Sequence, residues 1–142
     1  MSCAPRVFVP ADHAAVFALW QATPGVVLDA EADAPEAIGA YLARNPGLSC
    51  VVEAEGQVVG AVLCGHDGRR GYLHHLAVAA AWRRRRIASA LVARSLGELR
   101  RVGIRKCHLF LLADNQLGLA FWEACGWHRR GDICIVSRKL DE

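Results

Sequence analysis

The sequence predicts an α/β domain with a mixed central sheet and helices on both of its faces. Three observations lead there. Apolar runs of strand length alternate with segments of helical periodicity, glycines and Asx turns punctuate them, and no repeat or low-complexity linker interrupts residues 1–142. A chain of 142 residues that is 54% hydrophobic is long enough for a real core and too apolar for disorder, so a single domain over 1–142 is expected.

The elements follow in order. Residues 7–9 read as a short strand stopped by Pro10. Asp12 is placed as the N-cap of a helix through Trp20, with Val16, Leu19 and Trp20 on one face. Residues 23–33 form a loop, and Asp33-x-x-Glu36 reads as the capping box of a second helix ending near Asn45-Pro46-Gly47. Strands 49–54 and 57–64 make a hairpin across Glu55-Gly56. His66-Asp67-Gly68 then turns the chain into a strand carrying His74 to Val78. The helix after Arg83–Arg86 runs to about Arg101 and stops at Gly103. A buried strand over 106–112, a helix from about Asn115 to Cys125 closed by Gly126, and a last strand over 133–139 complete the order β-α-α-β-β-β-α-β-α-β.

Composition narrows the function classes. No run reaches the roughly 18 apolar residues of a membrane helix, and no basic-then-apolar leader opens the chain, so a cytoplasmic protein is expected. Cys3, Cys50, Cys64, Cys107, Cys125 and Cys134 lack C-x-x-C or metal-type spacing, which predicts reduced, mostly buried structural thiols and no metal. The net charge of +3 hides a division: residues 1–68 carry two basic and eight acidic residues, while residues 69–142 carry fifteen and six. One half suits a polyanion and the other a cation. A nucleic-acid module would use the arginines, yet no helix-turn-helix, zinc finger or ribonucleoprotein motif accompanies them, and the acidic half would repel a phosphate backbone.

The most informative stretch is Leu73 to Val92. A strand feeds through a short loop into a helix whose first N–H groups have no carbonyls beneath them, and Arg83, Arg84, Arg85 and Arg86 crowd that positive end. Four cations there are unfavourable unless an anion is bound, so a phosphate-bearing ligand is indicated.

The spacing Arg83-x-x-Arg86-x-Ala88 after Leu76-Ala77-Val78, followed in order by Asn115-x-x-Gly118-x-Ala120-Phe121-Trp122-Glu123-x-Cys125-Gly126-Trp127, resembles two motifs of the GCN5-related N-acetyltransferase (GNAT) family. These are usually Arg/Gln-x-x-Gly-x-Gly/Ala and Asn-x-x-Ala-x-x-Phe-Tyr-x-x-x-Gly-Phe. The resemblance spans about residues 49–139 and departs from the pattern at two places: Arg86 replaces a glycine, and Trp122 a tyrosine.

The resemblance implies the GNAT acyl-CoA N-acyltransferase fold, a mixed central sheet of six to seven strands flanked by about four helices and splayed between strands 72–78 and 106–112. It implies an N-acetyltransferase that passes the acetyl group of acetyl-CoA to a primary amine by direct attack in a ternary complex. Backbone groups of Leu76, Ala77 and Val78 would pair with the pantetheine arm. A nearby backbone N–H would polarise the thioester carbonyl. The pyrophosphate is assigned to the loop Arg83, Arg84, Arg85, Arg86, Ile87, Ala88 and Ser89, with Asn115 and Trp122 on the pantetheine. A residue in the first helical turn has φ below zero, so Arg86 is expected to fit there with its side chain outward.

His74 is the candidate base, since an alkyl amine must lose its proton and imidazole titrates near neutrality. Strand 106–112 holds no glutamate to serve instead. Strict alternation puts Tyr72 and His74 on one face and His75 on the other, while the bulge that the resemblance implies in this strand leaves that facing open. Trp122 has no acidic proton, so water, the protonated base or Tyr72 would protonate the leaving thiolate. Asp29, Glu31, Asp33 and Glu36 lie where the family lines its acceptor side, implying a cationic acceptor, and homodimers are common in the family. The alternative reading is a catalytically silent acyl-CoA sensor or interaction protein, because Arg86 and Trp122 both depart from the working pattern.

Overall fold

The computed structural model describes residues 4–141, which fall into two compact units divided between Phe110 and Leu111. The first contains β1 (Arg6–Val7), α1 (His13–Gln21), α2 (Pro35–Arg44), β2 (Cys50–Ala54), β3 (Gln57–His66), β4 (Gly71–Val78), α3 (Ile87–Arg101) and β5 (Cys107–Leu109). The second contains α4 (Gln116–Ala124).

The strands form one sheet in the order β1-β2-β3-β4-β5, antiparallel except for the parallel β4–β5 pair. Five strands are present among the described residues rather than six to seven. The expected strand over 133–139 is absent: those residues are irregular and exposed, with Val136 89% accessible. Among the described residues the number of α-helices, four, is as expected.

Turn chemistry explains the parts that the sequence predicts well. Glu55 and Gly56 both have positive φ (53° and 76°), the conformation of a two-residue hairpin turn whose twist matches the flanking strands. Gly103 takes φ 90° and donates its N–H to Arg100, while Ile104 donates to Leu99; this glycine cap closes α3.

The sheet buries both faces. Phe8, Val16, Leu19, Trp20, Ile38 and Leu42 cover one side, together with Val51, Ala61, Leu63 and Ala77 of the strands. Trp20 is fully buried, and burying a side chain of that size contributes about 3 kcal/mol. On the other side α3 lies close to the sheet: a Cβ on Gly60 would come within 2.8 Å of Ile87, and one on Gly71 within 2.7 Å of Leu99.

Asp12 stands at the N-cap position of α1, as expected, but its side chain makes no cap bond to that helix, and the Asp33 capping box is absent. Asp12 ends a 3₁₀ turn (Pro10–Asp12) and reaches back to accept the Val9 N–H at 2.9 Å, while the Arg6 guanidinium donates to both carboxylate oxygens at 2.9 Å. Burial would push this carboxyl up; Arg6 and the Val9 amide outweigh it and hold it below its ordinary value. Asp33 does not cap α2, which starts at Pro35 behind Ala34 with no side-chain cap. Pro35 removes one donor that a cap would satisfy. The Asp33 carboxylate turns instead to β4.

Cysteine placement is mixed. Cys50 and Cys64 are buried and Cys107 is half-buried, but Cys125 and Cys134 are exposed; all five are free thiols, and Cys3 lies outside the described residues. No helix among the described residues is long and apolar enough to cross a membrane.

Candidate active site

The centre of the first unit's site is a bulge in β4. Leu63 faces His74 and Ala61 faces Ala77, so His75 and Leu76 share the one position opposite Val62. His75 takes φ 55°, a left-handed conformation rare for a residue with a side chain. Two contacts hold it there. Trp20 Nε1 donates to the His75 carbonyl at 3.1 Å, and His75 Nε2 lies 3.0 Å from Asp33 Oδ1. The Trp20 and His75 rings also meet edge to face at 4.9 Å.

The extra residue, as the resemblance implies, overrides strict alternation. His74 packs against Tyr41 of α2 and His75 against Trp20 of α1, so both histidines point to the same side of the sheet. His75 is occupied structurally, by Asp33 through its ring and by Trp20 through its carbonyl.

His74 sits among aromatic rings. Tyr72 lies parallel to it at 6.3 Å, Tyr41 edge-on at 6.4 Å and Phe110 tilted at 5.9 Å. Among the described residues its ring has no hydrogen-bond partner, and it is half-buried. Burial and the neighbouring His75 push its pKa down, with Asp33 opposing weakly, so the imidazole is neutral at pH 7 and can accept a proton.

From His74 onward, β4 lacks its outer neighbour. Parallel pairing joins Gly71, Tyr72 and Leu73 to Cys107, His108 and Leu109 and goes no further, leaving His74 to Val78 without a β5 partner. Leu76 and Val78 are half-buried there, while Ala77 is buried in the core. Arg83 Nε donates to the Val78 carbonyl at 3.3 Å, and Arg85 lies 4.5 Å over the Trp82 ring.

The start of α3 departs from expectation at one residue. Arg86 is the N-cap with φ 61°, and Arg84 has φ 64°; both are left-handed, not helical. The backbone therefore keeps the conformation that a glycine would adopt freely, and Arg86 bears the strain. Ala90 donates to the Arg86 carbonyl, so the amides of Ile87, Ala88 and Ser89 precede the first intrahelical bond, and Arg86 offers no side-chain cap. Ile87 is buried beneath this end and fixes it to the sheet, while all four arginines are exposed.

Of the four acidic residues expected on the acceptor side, Asp29, Glu31 and Glu36 are exposed and Asp33 is buried. Asp29 accepts the Glu31 and Ala32 N–H groups, and Asp33 accepts the Asp29 N–H at 2.8 Å. His13 Nε2 lies 2.8 Å from the Asp33 carbonyl oxygen.

Within the second unit, Asn115 caps α4 by accepting the Gly118 N–H at 2.9 Å. A Cβ at Gly118 would fall 2.6 Å from the Asn115 amide nitrogen, which accounts for glycine there. Trp122 is buried edge-on against Phe121 (5.2 Å) and Trp127 (5.1 Å). Cys125, expected in the core, is exposed. The described residues contain no cluster of three His, Cys, Asp or Glu side chains arranged for a metal ion.

Sequence reasoning missed Trp20, Asp33, Tyr41 and Phe110 as neighbours of the two histidines. Trp20 and Tyr41 carry only a core-like apolar spacing in α1 and α2. Asp33 followed the pattern of a cap, and Phe110 that of an ordinary buried strand.

The mixed sheet agrees with the comparisons. Residues 13–127 match the model of the acetyltransferase (GNAT) family, and the chain belongs to that family. An acetyltransferase of Photorhabdus laumondii is 35% identical over 140 residues, covering 95% of this chain and 94% of its own. The aminoglycoside antibiotic 6′-N-acetyltransferase of Acinetobacter haemolyticus superposes with a TM-score of 0.78 at 17% identity, over 99% of this chain and 100% of that one. The PaiA N-acetyltransferase of Thermoplasma acidophilum, solved with coenzyme A, gives 0.74 at 17% identity, over 88% and 89%.

Proposed function

We propose that this protein is an N-acetyltransferase that moves the acetyl group of acetyl-CoA onto a primary amine held beside His74, by direct attack with both substrates bound. The observation that carries the reading is the β4 bulge, which sets His74 at the point where β4 loses its β5 partner. Family membership and the coenzyme A complex of the Thermoplasma relative support the cosubstrate.

The residues present fit that cosubstrate. Amides of Ile87, Ala88 and Ser89 at the positive end of α3, with the Ser89 hydroxyl and the exposed guanidinium groups of Arg83 to Arg86, would hold a pyrophosphate. Backbone groups of Leu76 to Val78 would hold the pantetheine arm along the open edge of β4. Acetyl-CoA supplies an acyl group activated as a thioester.

His74 takes the proton that the amine must lose. Its lowered pKa keeps it unprotonated at pH 7, and the aromatic rings around it attract an ammonium before deprotonation. Tyr72, parallel to His74, is the nearby hydroxyl suited to return a proton to the departing thiolate. The exposed Asp29, Glu31 and Glu36 favour a cationic acceptor.

An amine panel assayed for thiol release from acetyl-CoA tests the reading. Turnover with at least one primary amine, abolished by omitting it, is the expected result. Tight acetyl-CoA binding with no thiol release across the panel would instead identify a sensor.

A further inference from the structure

We propose that Trp20 is a positioning residue that aims the backbone amide of the β4 bulge at the thioester carbonyl, an inference that rests on the acetyl-transfer reading above. A trans peptide is planar, so its C=O and the following N–H point in opposite directions. No cis peptide occurs among the described residues, and Trp20 Nε1 holds the His75 carbonyl at 3.1 Å. Fixing that carbonyl fixes the Leu76 N–H to point away from α1.

The peptide needs such a clamp. His75 and Leu76 lie outside the regular β3–β4 register, and His75 is left-handed, a conformation that persists only when its surroundings dictate it. The clamp is rigid because Trp20 is fully buried, its ring against Phe8 and Phe17. The Asp33–His75 contact holds the ring of the same residue, so side chain and carbonyl are pinned from two elements. A peptide whose carbonyl accepts a hydrogen bond from Trp20 is also polarised, which strengthens the bond its N–H can give. A pre-aimed amide of this kind lowers the barrier because it need not reorient as negative charge grows on the thioester oxygen.

The test compares the parent, Trp20→Phe, and Val16→Ala, which removes buried methyls from the same helix without touching the peptide. A third protein carrying 3-benzothienylalanine at position 20 keeps the indole shape and lacks only the N–H. Three readouts are taken: the Leu76 amide nitrogen shift in the ligand-free protein, the infrared carbonyl band of bound acetyl-CoA labelled at the carbonyl carbon, and kcat with KM. For both position-20 variants the Leu76 nitrogen should move upfield and the carbonyl band should return toward that of free acetyl-CoA. Their kcat should fall by about 10-fold, less than the loss of about 10²-fold expected on deleting such a donor, with KM for acetyl-CoA within about twofold. Val16→Ala should resemble the parent in all three. An unchanged Leu76 shift in the benzothienyl protein, or equal kcat losses for Val16→Ala and Trp20→Phe, would overturn the assignment. A parent with no bound-acetyl band would remove the acetyl-transfer reading and this role with it, while the nitrogen shift would still report the clamp itself.

Discussion

Tyr72 and His74 present parallel rings 6.3 Å apart, one strand repeat from each other on the same side of β4. With Tyr41 and Phe110 they exclude water from much of the imidazole, and burial is the main reason its pKa falls below the ordinary 6.5. His74→Ala is expected to lower turnover by roughly 10²-fold while acetyl-CoA still binds, because the proposed cofactor contacts are made by backbone. The active form is the neutral one, so kcat/KM should hold steady above pH 6.5 and fall only below it. A pH profile from 5 to 9 checks this; equal activity of His74→Ala and the parent would move the role to Tyr72.

Arg86 carries a left-handed backbone and a positive charge at the positive end of α3. Arg86→Gly removes both penalties and loses some of the gain to greater freedom in the unfolded chain, leaving the ligand-free protein more stable by about 1 kcal/mol. Urea melts without ligand measure this. Lower stability in the glycine variant would mean that the arginine side chain makes a stabilising contact there.

Ala88 is half-buried in the first turn of α3. Acetyl-CoA at 100 times its dissociation constant should raise stability by about 2.7 kcal/mol, and Ala88→Asp should erase that gain by placing a carboxylate beside the pyrophosphate. Thermal melts of both proteins with and without ligand supply the comparison. A full ligand-induced shift in Ala88→Asp would place the pyrophosphate elsewhere.

The thiols divide into two groups. Burial pushes Cys64 to about 12 and Cys107 to about 11, and raises Cys50 as well, whereas Cys125 and Cys134 are exposed. A thiol reagent at pH 8 should modify Cys125 and Cys134 in the native protein and reach Cys50 and Cys64 only after unfolding. Peptide mapping of the labelled protein identifies the order.

The features legible in the sequence are those set by local chemistry. Glu55-Gly56 must turn, Gly103 must cap, and the strand, loop and helix from Leu73 onward follow from apolar spacing. Asp33 was misjudged because a carboxylate three residues before Glu36 satisfies a capping pattern locally, while its actual partner, His75, is 42 residues away. The left-handed Arg86 was illegible for another reason: arginine has no preference for that conformation, and the surrounding fold imposes it. Residues 133–139 have the apolar content of a strand but no ladder partner among the described residues, and strand propensity without pairing stabilises nothing.

Tyr41 carries a buried hydroxyl with no hydrogen-bond partner among the described residues, and the Cβ of any larger residue at Gly65 would collide with it. The two positions are thus sterically coupled. A side chain at position 65 requires residue 41 to be shortened and Asn45 to shift, and the first change strips an aromatic wall from His74. A glycine in β3 thus underwrites the aromatic packing around His74.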